Sequence, residues 1–142
     1  MTKAKAKGTN LFKLLETDPD LEAEGVWCAY PGTQSRFKVR SLEGSDAEKY
    51  RQKLIQERVE EIREGGESQR VALTDIAQSV LSDVLVADWD GVLGDDDEPL
   101  PFSIENCRLL LARVRPVRSW LERQCASTET YLLRKDVVGS GN

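Results

Sequence analysis

The densest run of chemistry-bearing side chains is Asp88-Trp-Asp-Gly-Val-Leu-Gly-Asp-Asp-Asp-Glu-Pro-Leu-Pro101, which carries Asp88, Asp90, Asp95, Asp96, Asp97 and Glu98. So many acids invite calcium. A helix–loop–helix calcium loop places oxygen ligands at positions 1, 3 and 5, glycine at 6 and glutamate at 12. Counted from Asp88, position 5 is Val92 and position 6 is Leu93. Counted from Asp90, position 3 is Val92. Neither frame works, so the acids read as a solvated loop. Paired carboxylates such as Asp88 and Asp90 could do acid–base work. With 25 acids in the chain, such pairs arise by chance. Gly91 and Gly94 lack the frame and the following lysine of a phosphate loop.

The other reactive types are scarce. The chain has no histidine, which removes the imidazole base, the histidine metal ligand and the near-neutral histidine switch. Its three cysteines, Cys28, Cys107 and Cys125, form no CxxC pair. They read as reduced, mostly buried thiols rather than a zinc site or a disulfide framework. No serine or cysteine has a base to activate it. The expectation is a non-enzymatic protein with no cofactor and no metal.

A second charge cluster is basic. Arg108, Arg113, Arg115, Arg118 and Arg123 gather around Pro116. They could dock an acidic partner, or close onto the Asp95–Glu98 loop. The plainer alternative is ordinary helix-surface charge. The whole chain of 142 residues is acidic, with 20 basic and 25 acidic side chains. That balance argues against a general nucleic-acid binder. The basic N-terminus has no apolar core behind it, so it does not read as a signal peptide. No apolar run approaches a membrane span.

These residues must be positioned by a mostly helical scaffold. Residues 1–10 read as a disordered basic tail, and 137–142 as a flexible end. Between them, residues 11–136 are expected to form one domain of α+β class, mainly α, with four to five helices and one N-terminal hairpin. Leu11–Leu15 forms one helical turn, ended by Asp18-Pro19. The hairpin, at about 25–41, is the only β structure expected. Phe37 and Val39 share a face of its second strand, and Pro31-Gly32 makes the turn. Helices follow over 46–64, capped by Ser45 or Asp46 and stopped at Gly65-Gly66, and over 71–87, with Leu73, Ile76, Ala77, Val80, Leu81 and Val84 on one stripe. Residues 88–101 are a loop. Ser103 caps a helix whose inward face is Ile104, Cys107, Leu110, Leu111 and Val114. A last helix over 117–135 turns Val117, Trp120, Leu121, Cys125, Thr128 and Leu132 inward. Trp89 and Trp120 belong to the core.

From Trp89 onward the sequence resembles the tail assembly chaperones of long-tailed bacteriophages. The residues that carry the resemblance are Trp89, Asp90, Gly91 and Val92, then Pro99, Pro101, Phe102 and Ser103, then Glu105 and Asn106. Weaker similarity extends upstream through Gly25-Val-Trp27, Phe37-Lys-Val-Arg40 and the helix near Tyr50. Gly94 departs from the pattern, because Asp95–Glu98 separate it from the two prolines.

The resemblance implies a helper. Such chaperones bind the tape-measure protein, keep that long helical chain soluble, and give way to tail-tube protein as the tube polymerises. A longer frameshift product of the same gene is a further expected partner. The expected location is the host cytoplasm, outside the mature virion, with no nucleic acid and no membrane involved. The signature residues are expected to be architectural, and the client surface is expected on exposed apolar residues of the last two helices and on the arginine cluster. Two other readings stay open: a structural tail component retained in the particle, and a small acidic adaptor or inhibitor of a host protein.

Overall fold

The computed structural model describes residues 6–133. The expected flexible end at 137–142 and the first half of the basic tail lie outside the described residues. The class is α+β and mainly helical, with seven α-helices and one three-stranded antiparallel sheet among the described residues.

The chain opens with α1 (Leu11–Leu15) and α2 (Pro19–Glu24). The Asp18-Pro19 pair starts a helix rather than only ending one. The Asp18 carboxylate accepts the Asp20 N–H at 2.9 Å, and Pro19 sits in the first turn. Proline costs nothing there, because its missing N–H would have no partner anyway.

The hairpin forms as expected from β1 (Val26–Ala29) and β2 (Arg36–Val39), with Phe37 and Val39 buried. It is not the only β structure. A third strand, β3 (Val86–Asp90), pairs with β2 in the order β1-β2-β3. Residues 86–87, expected at a helix end, and 88–90, expected in a loop, therefore lie in the sheet. Val39 pairs with Val86, and Lys38 with Asp88, so Ala87 is an extra residue that bulges the strand.

The expected 46–64 helix is two helices, α3 (Ser45–Glu57) and α4 (Val59–Glu64), broken at Arg58. Gly44, not Ser45 or Asp46, occupies the capping position and offers no side chain. Of the apolar stripe Tyr50, Leu54, Ile55, Val59 and Ile62 expected to face inward, all but Val59, which follows the break at Arg58, pack on the core. Gly65 stops α4 in the left-handed region at φ 72°.

Helix α5 (Gly66–Val80) begins earlier than expected, at Gly66, and runs into a five-residue π turn, Leu81–Leu85. It buries Ala72, Ile76 and Val80, and the turn buries Leu81 and Leu85. Leu73 and Ala77, expected inward, are exposed, so the buried face is narrower than the apolar stripe.

Helices α6 (Ile104–Arg113) and α7 (Arg115–Ala126) meet at Val114, with Pro116 in the first turn of α7. Cys107, Leu111, Trp120, Leu121 and Cys125 are buried. Ile104 is 45% exposed, because the first residue of α6 lies ahead of the core. Thr128 and Leu132 do not continue the last stripe. The helix ends at Ala126, and Thr128–Tyr131 forms a 3₁₀ turn that buries Tyr131 completely. The Tyr131 hydroxyl donates to the Val39 carbonyl at 3.1 Å, tying this turn to the sheet.

One chain of aromatic contacts joins the elements. Tyr30 tilts on Trp120 at 5.1 Å, Trp120 meets Phe37 at 6.1 Å, Phe37 meets Trp89 at 6.2 Å, and Trp89 meets Phe102 at 5.1 Å. The last three contacts are edge-to-face, the arrangement that ring quadrupoles favour. Trp27 stands outside the core at 39% exposure, with the Arg36 guanidinium over its ring.

Candidate functional site

The residues from Trp89 to Asn106 fold into one built unit. Trp89, one residue before the end of β3, lies on its buried face and is 7% exposed. Its indole N–H donates to the Leu100 carbonyl at 2.8 Å, so a buried donor is satisfied by the far arm of the loop. Asp90 points the other way and pairs with Arg36 at 2.9 Å.

Gly91 has a positive φ of 71°, and a Cβ there would lie 2.3 Å from the Gln34 carbonyl oxygen. Only glycine fits this approach of β3 to the β1–β2 loop. The Gly91 carbonyl accepts the Ser35 hydroxyl at 2.7 Å, locking the two loops together. Val92 is buried, and its carbonyl accepts the Leu100 N–H at 2.9 Å.

The acids form a tight tip between the arms. Leu93 bridges to Pro99, and the Gly94 N–H donates to the Glu98 carbonyl at 2.8 Å. Asp96 accepts the Glu98 N–H at 3.0 Å, and Asp97 takes a left-handed φ of 63°. These carboxylates thus make the turn. Among the described residues, no group of three or more cysteines and carboxylates is placed to share a cation.

The exit from the loop is equally defined. Phe102 lies edge-on to Trp89. Ser103 caps α6 by accepting the Asn106 N–H at 3.0 Å, and the Asn106 side chain donates back to the Pro101 carbonyl at 2.8 Å. Trp89, Val92, Leu100, Pro101, Phe102, Ser103 and Asn106 thus close a ring of contacts around the two prolines.

The structure divides the arginine cluster instead of presenting it as one patch. Arg113 reaches back to the acidic tip and holds Asp95 through two bonds, at 2.8 and 3.1 Å. That pair holds the Asp95 carboxyl below the usual carboxylate range. Arg108 instead grips Asp83, at 2.9 and 2.6 Å. Arg118 bonds the Leu111 carbonyl at 3.3 Å and lies 3.9 Å from Glu122. Arg115 and Arg123 are exposed and form no ion pair among the described residues.

Asp83 is the site residue the sequence reading passed over. Its side chain is only 6% exposed, and it also accepts the Tyr50 hydroxyl at 2.6 Å and the Ser82 hydroxyl at 2.9 Å. Burial pushes the carboxyl up. The bonds from Arg108, Tyr50 and Ser82, with the charge of Arg108, outweigh that and hold it below its ordinary range. Its signal was an acid inside the apolar run Val80–Val86, where an unpaired charge would be costly.

A polar cavity of about 480 Å³ opens between α5, α6 and α7, lined by Arg58, Arg108, Arg118, Asp75, Ser79 and Ser82 among others. Arg58 is occupied by Glu61 and Asp75, and Arg108 by Asp83, so most of the positive charge facing this cavity is balanced internally. Cys107 and Cys125 are buried, and desolvation pushes both thiols up to about 12. They stay protonated at neutral pH and are poor nucleophiles. No helix among the described residues is long and apolar enough to cross a membrane.

In comparison with known proteins, residues 43–142 match a family model described as YdaY prophage protein. No curated protein and no solved structure matches the chain.

Proposed function

The chain belongs to the YdaY prophage protein family, a phage-derived family, and we propose that it acts as a non-enzymatic tail assembly chaperone for the tape-measure protein. In this role it keeps a long helical client soluble until tail-tube subunits replace it. A longer frameshift product of the same gene joins it on the client. It works in the host cytoplasm and leaves before the particle is complete.

The observation that carries this reading is the Trp89–Asn106 unit. The residues that resemble the chaperone signature are the ones that bond to one another. Trp89 bonds Leu100, Asn106 bonds Pro101, Ser103 caps α6, and Phe102 packs on Trp89. They act as architecture that holds α6 against the sheet. On α6 so positioned, Ile104 and Leu109 are exposed, and on α7 Arg115 and Arg123 are exposed with no ion pair among the described residues. Exposed apolar and cationic side chains on these two helices suit an amphipathic helix with acidic positions.

Mass spectrometry of assembly intermediates and finished particles tests the reading. The chain is expected in complexes that contain tape-measure protein and no tube, and absent from finished particles. Stoichiometric retention in finished particles would replace the chaperone reading with a structural tail component.

A further inference from the structure

We infer that the apolar cavity between α3, α5 and α7 binds an uncharged apolar molecule the size of one aromatic ring. The cavity has a volume of about 140 Å³. Its innermost lining is Val80, Leu81, Leu85 and Cys125, each no more than 2% exposed. Leu42 and Ala77 flank these, and Arg51 and Glu122 complete the lining. A cavity of about 150 Å³ with apolar walls is large enough to hold benzene.

The sequence explains why space is left here. Val80 ends α5, and the next five residues form the π turn instead of another α turn. Ala77 and Cys125 supply only small side chains to two of the walls. Those walls are bonded to other elements. The Leu42 N–H donates to the Cys125 carbonyl at 3.0 Å, which fixes the start of α3 to the end of α7. The Arg40 N–H donates to the Leu85 carbonyl at 2.8 Å, and its guanidinium donates to the Val84 carbonyl at 2.6 Å, which fixes the π turn to the end of β2. A lining held in this way relaxes only partly into the space beside it. An apolar guest supplies the dispersion contacts that the walls otherwise lack.

The chemistry selects against water and polar ligands. Leu42, Ala77, Val80, Leu81 and Leu85 offer no side-chain hydrogen bond. Burial keeps the Cys125 thiol neutral, and a thiol is a weak partner. Among the described residues no buried side-chain nitrogen or oxygen lacks a partner, so none calls for a polar guest. A buried water needs about two to four polar partners. The charged residues lie toward the outside, with Glu122 exposed and Arg51 partly so. Arg51 is bonded to Glu48 at 2.5 Å, and Glu122 lies 3.9 Å from Arg118. Arg51 and Glu122 form no ion pair with each other, so no such pair closes the way in. The cavity shares no residue with the surface proposed for the client, so its test stands apart from the chaperone reading.

Thermal unfolding of the full chain with toluene tests the site. Near-saturating toluene should raise the melting temperature by about 2–5 °C. Phenol at the same concentration should raise it less than half as far, because its hydroxyl would be buried without a partner. Nuclear Overhauser contacts from toluene should reach the methyl groups of Val80, Leu81 and Leu85. A77L adds three carbons to the cavity wall and should abolish both the shift and the contacts. Its circular dichroism should match the wild type, because Ala77 is exposed and leucine is a good helix former. Should A77L unfold, A77M fills the same space with a more adaptable side chain. No shift with toluene overturns the proposal. So does an equal shift with phenol, or contacts that miss the three methyl-bearing residues. A toluene shift that the filled variant preserves also overturns it, and would place the ligand elsewhere, as beside Leu93 and Leu109.

Discussion

Phe12 and Phe102 sit in similar short apolar segments with opposite fates. Leu11-Phe-Lys-Leu-Leu15 forms one exposed turn, where the Asn10 side chain accepts the Lys13 N–H and the Glu16 carbonyl just beyond it accepts the Leu133 N–H. Leu100-Pro-Phe102 is held by the Trp89 indole, the Asn106 amide and an edge-on ring. The first lies outside the region that matches the prophage family and the second lies inside it. Hydrophobic content is nearly the same in both. What differs is whether neighbouring polar groups are satisfied when the apolar ones are buried. Around Phe102 they are, so the segment is architecture. Around Phe12 nothing of the helix is buried, so the segment adds little to the core.

The contrast can be broken hardest at Gly91. G91A forces a Cβ into the Gln34 carbonyl at a positive φ, and should cost about 2–4 kcal/mol in denaturant unfolding. An effect below that of a surface alanine would show that the two loops are not locked. Next, W89F keeps the ring but strands the Leu100 carbonyl. It should cost about 1–3 kcal/mol.

Asp83 comes third. D83N should cost about 1–2 kcal/mol at neutral pH, a figure reduced because the Arg108 side chain is more than half exposed. Its carboxyl is held below the ordinary 3.8, so its contribution is complete above that value and fades as pH falls through the lower folded one. The gap between wild type and D83N should therefore narrow below about pH 4. A gap that is constant across that window would mean the ionised carboxylate is not what Arg108 and Tyr50 hold.

S103A should cost about 1 kcal/mol by removing the α6 cap. Smallest of all, L14D should leave the melting temperature of the monomer unchanged, because α1 buries nothing. A loss comparable to that of S103A would erase the distinction between the two segments.

Much of the scaffold was legible. The hairpin faces, the glycine stop at Gly65, the Ser103 cap and the turn at Pro116 each rest on local chemistry that one stretch of sequence displays. Strand β3 was not legible for two reasons. Val86 continues the apolar run of α5 through the π turn, so no change of period marks the transition. The bulge at Ala87 then breaks the alternation, putting Val86 and Trp89 on the buried face. The break at Arg58 has no glycine or proline to announce it. Within the site, Trp89, Ser103 and the Arg113–Asp95 closure could be anticipated from residue type. Ser35 and Gln34 could not, because Gly91 lies far away in sequence and meets them through the sheet, and Asp83 showed only as an acid in an apolar run, its partners Tyr50 and Arg108 lying on other helices.

The most direct test of the chaperone account is co-expression with a tape-measure protein, measuring how much of that protein remains soluble and co-purifies. The account predicts a soluble complex with the wild type and its loss with G91A, in proportion to the unfolding of the Trp89–Asn106 unit. Tape-measure protein that stays insoluble beside a folded, soluble copy of this chain would contradict it.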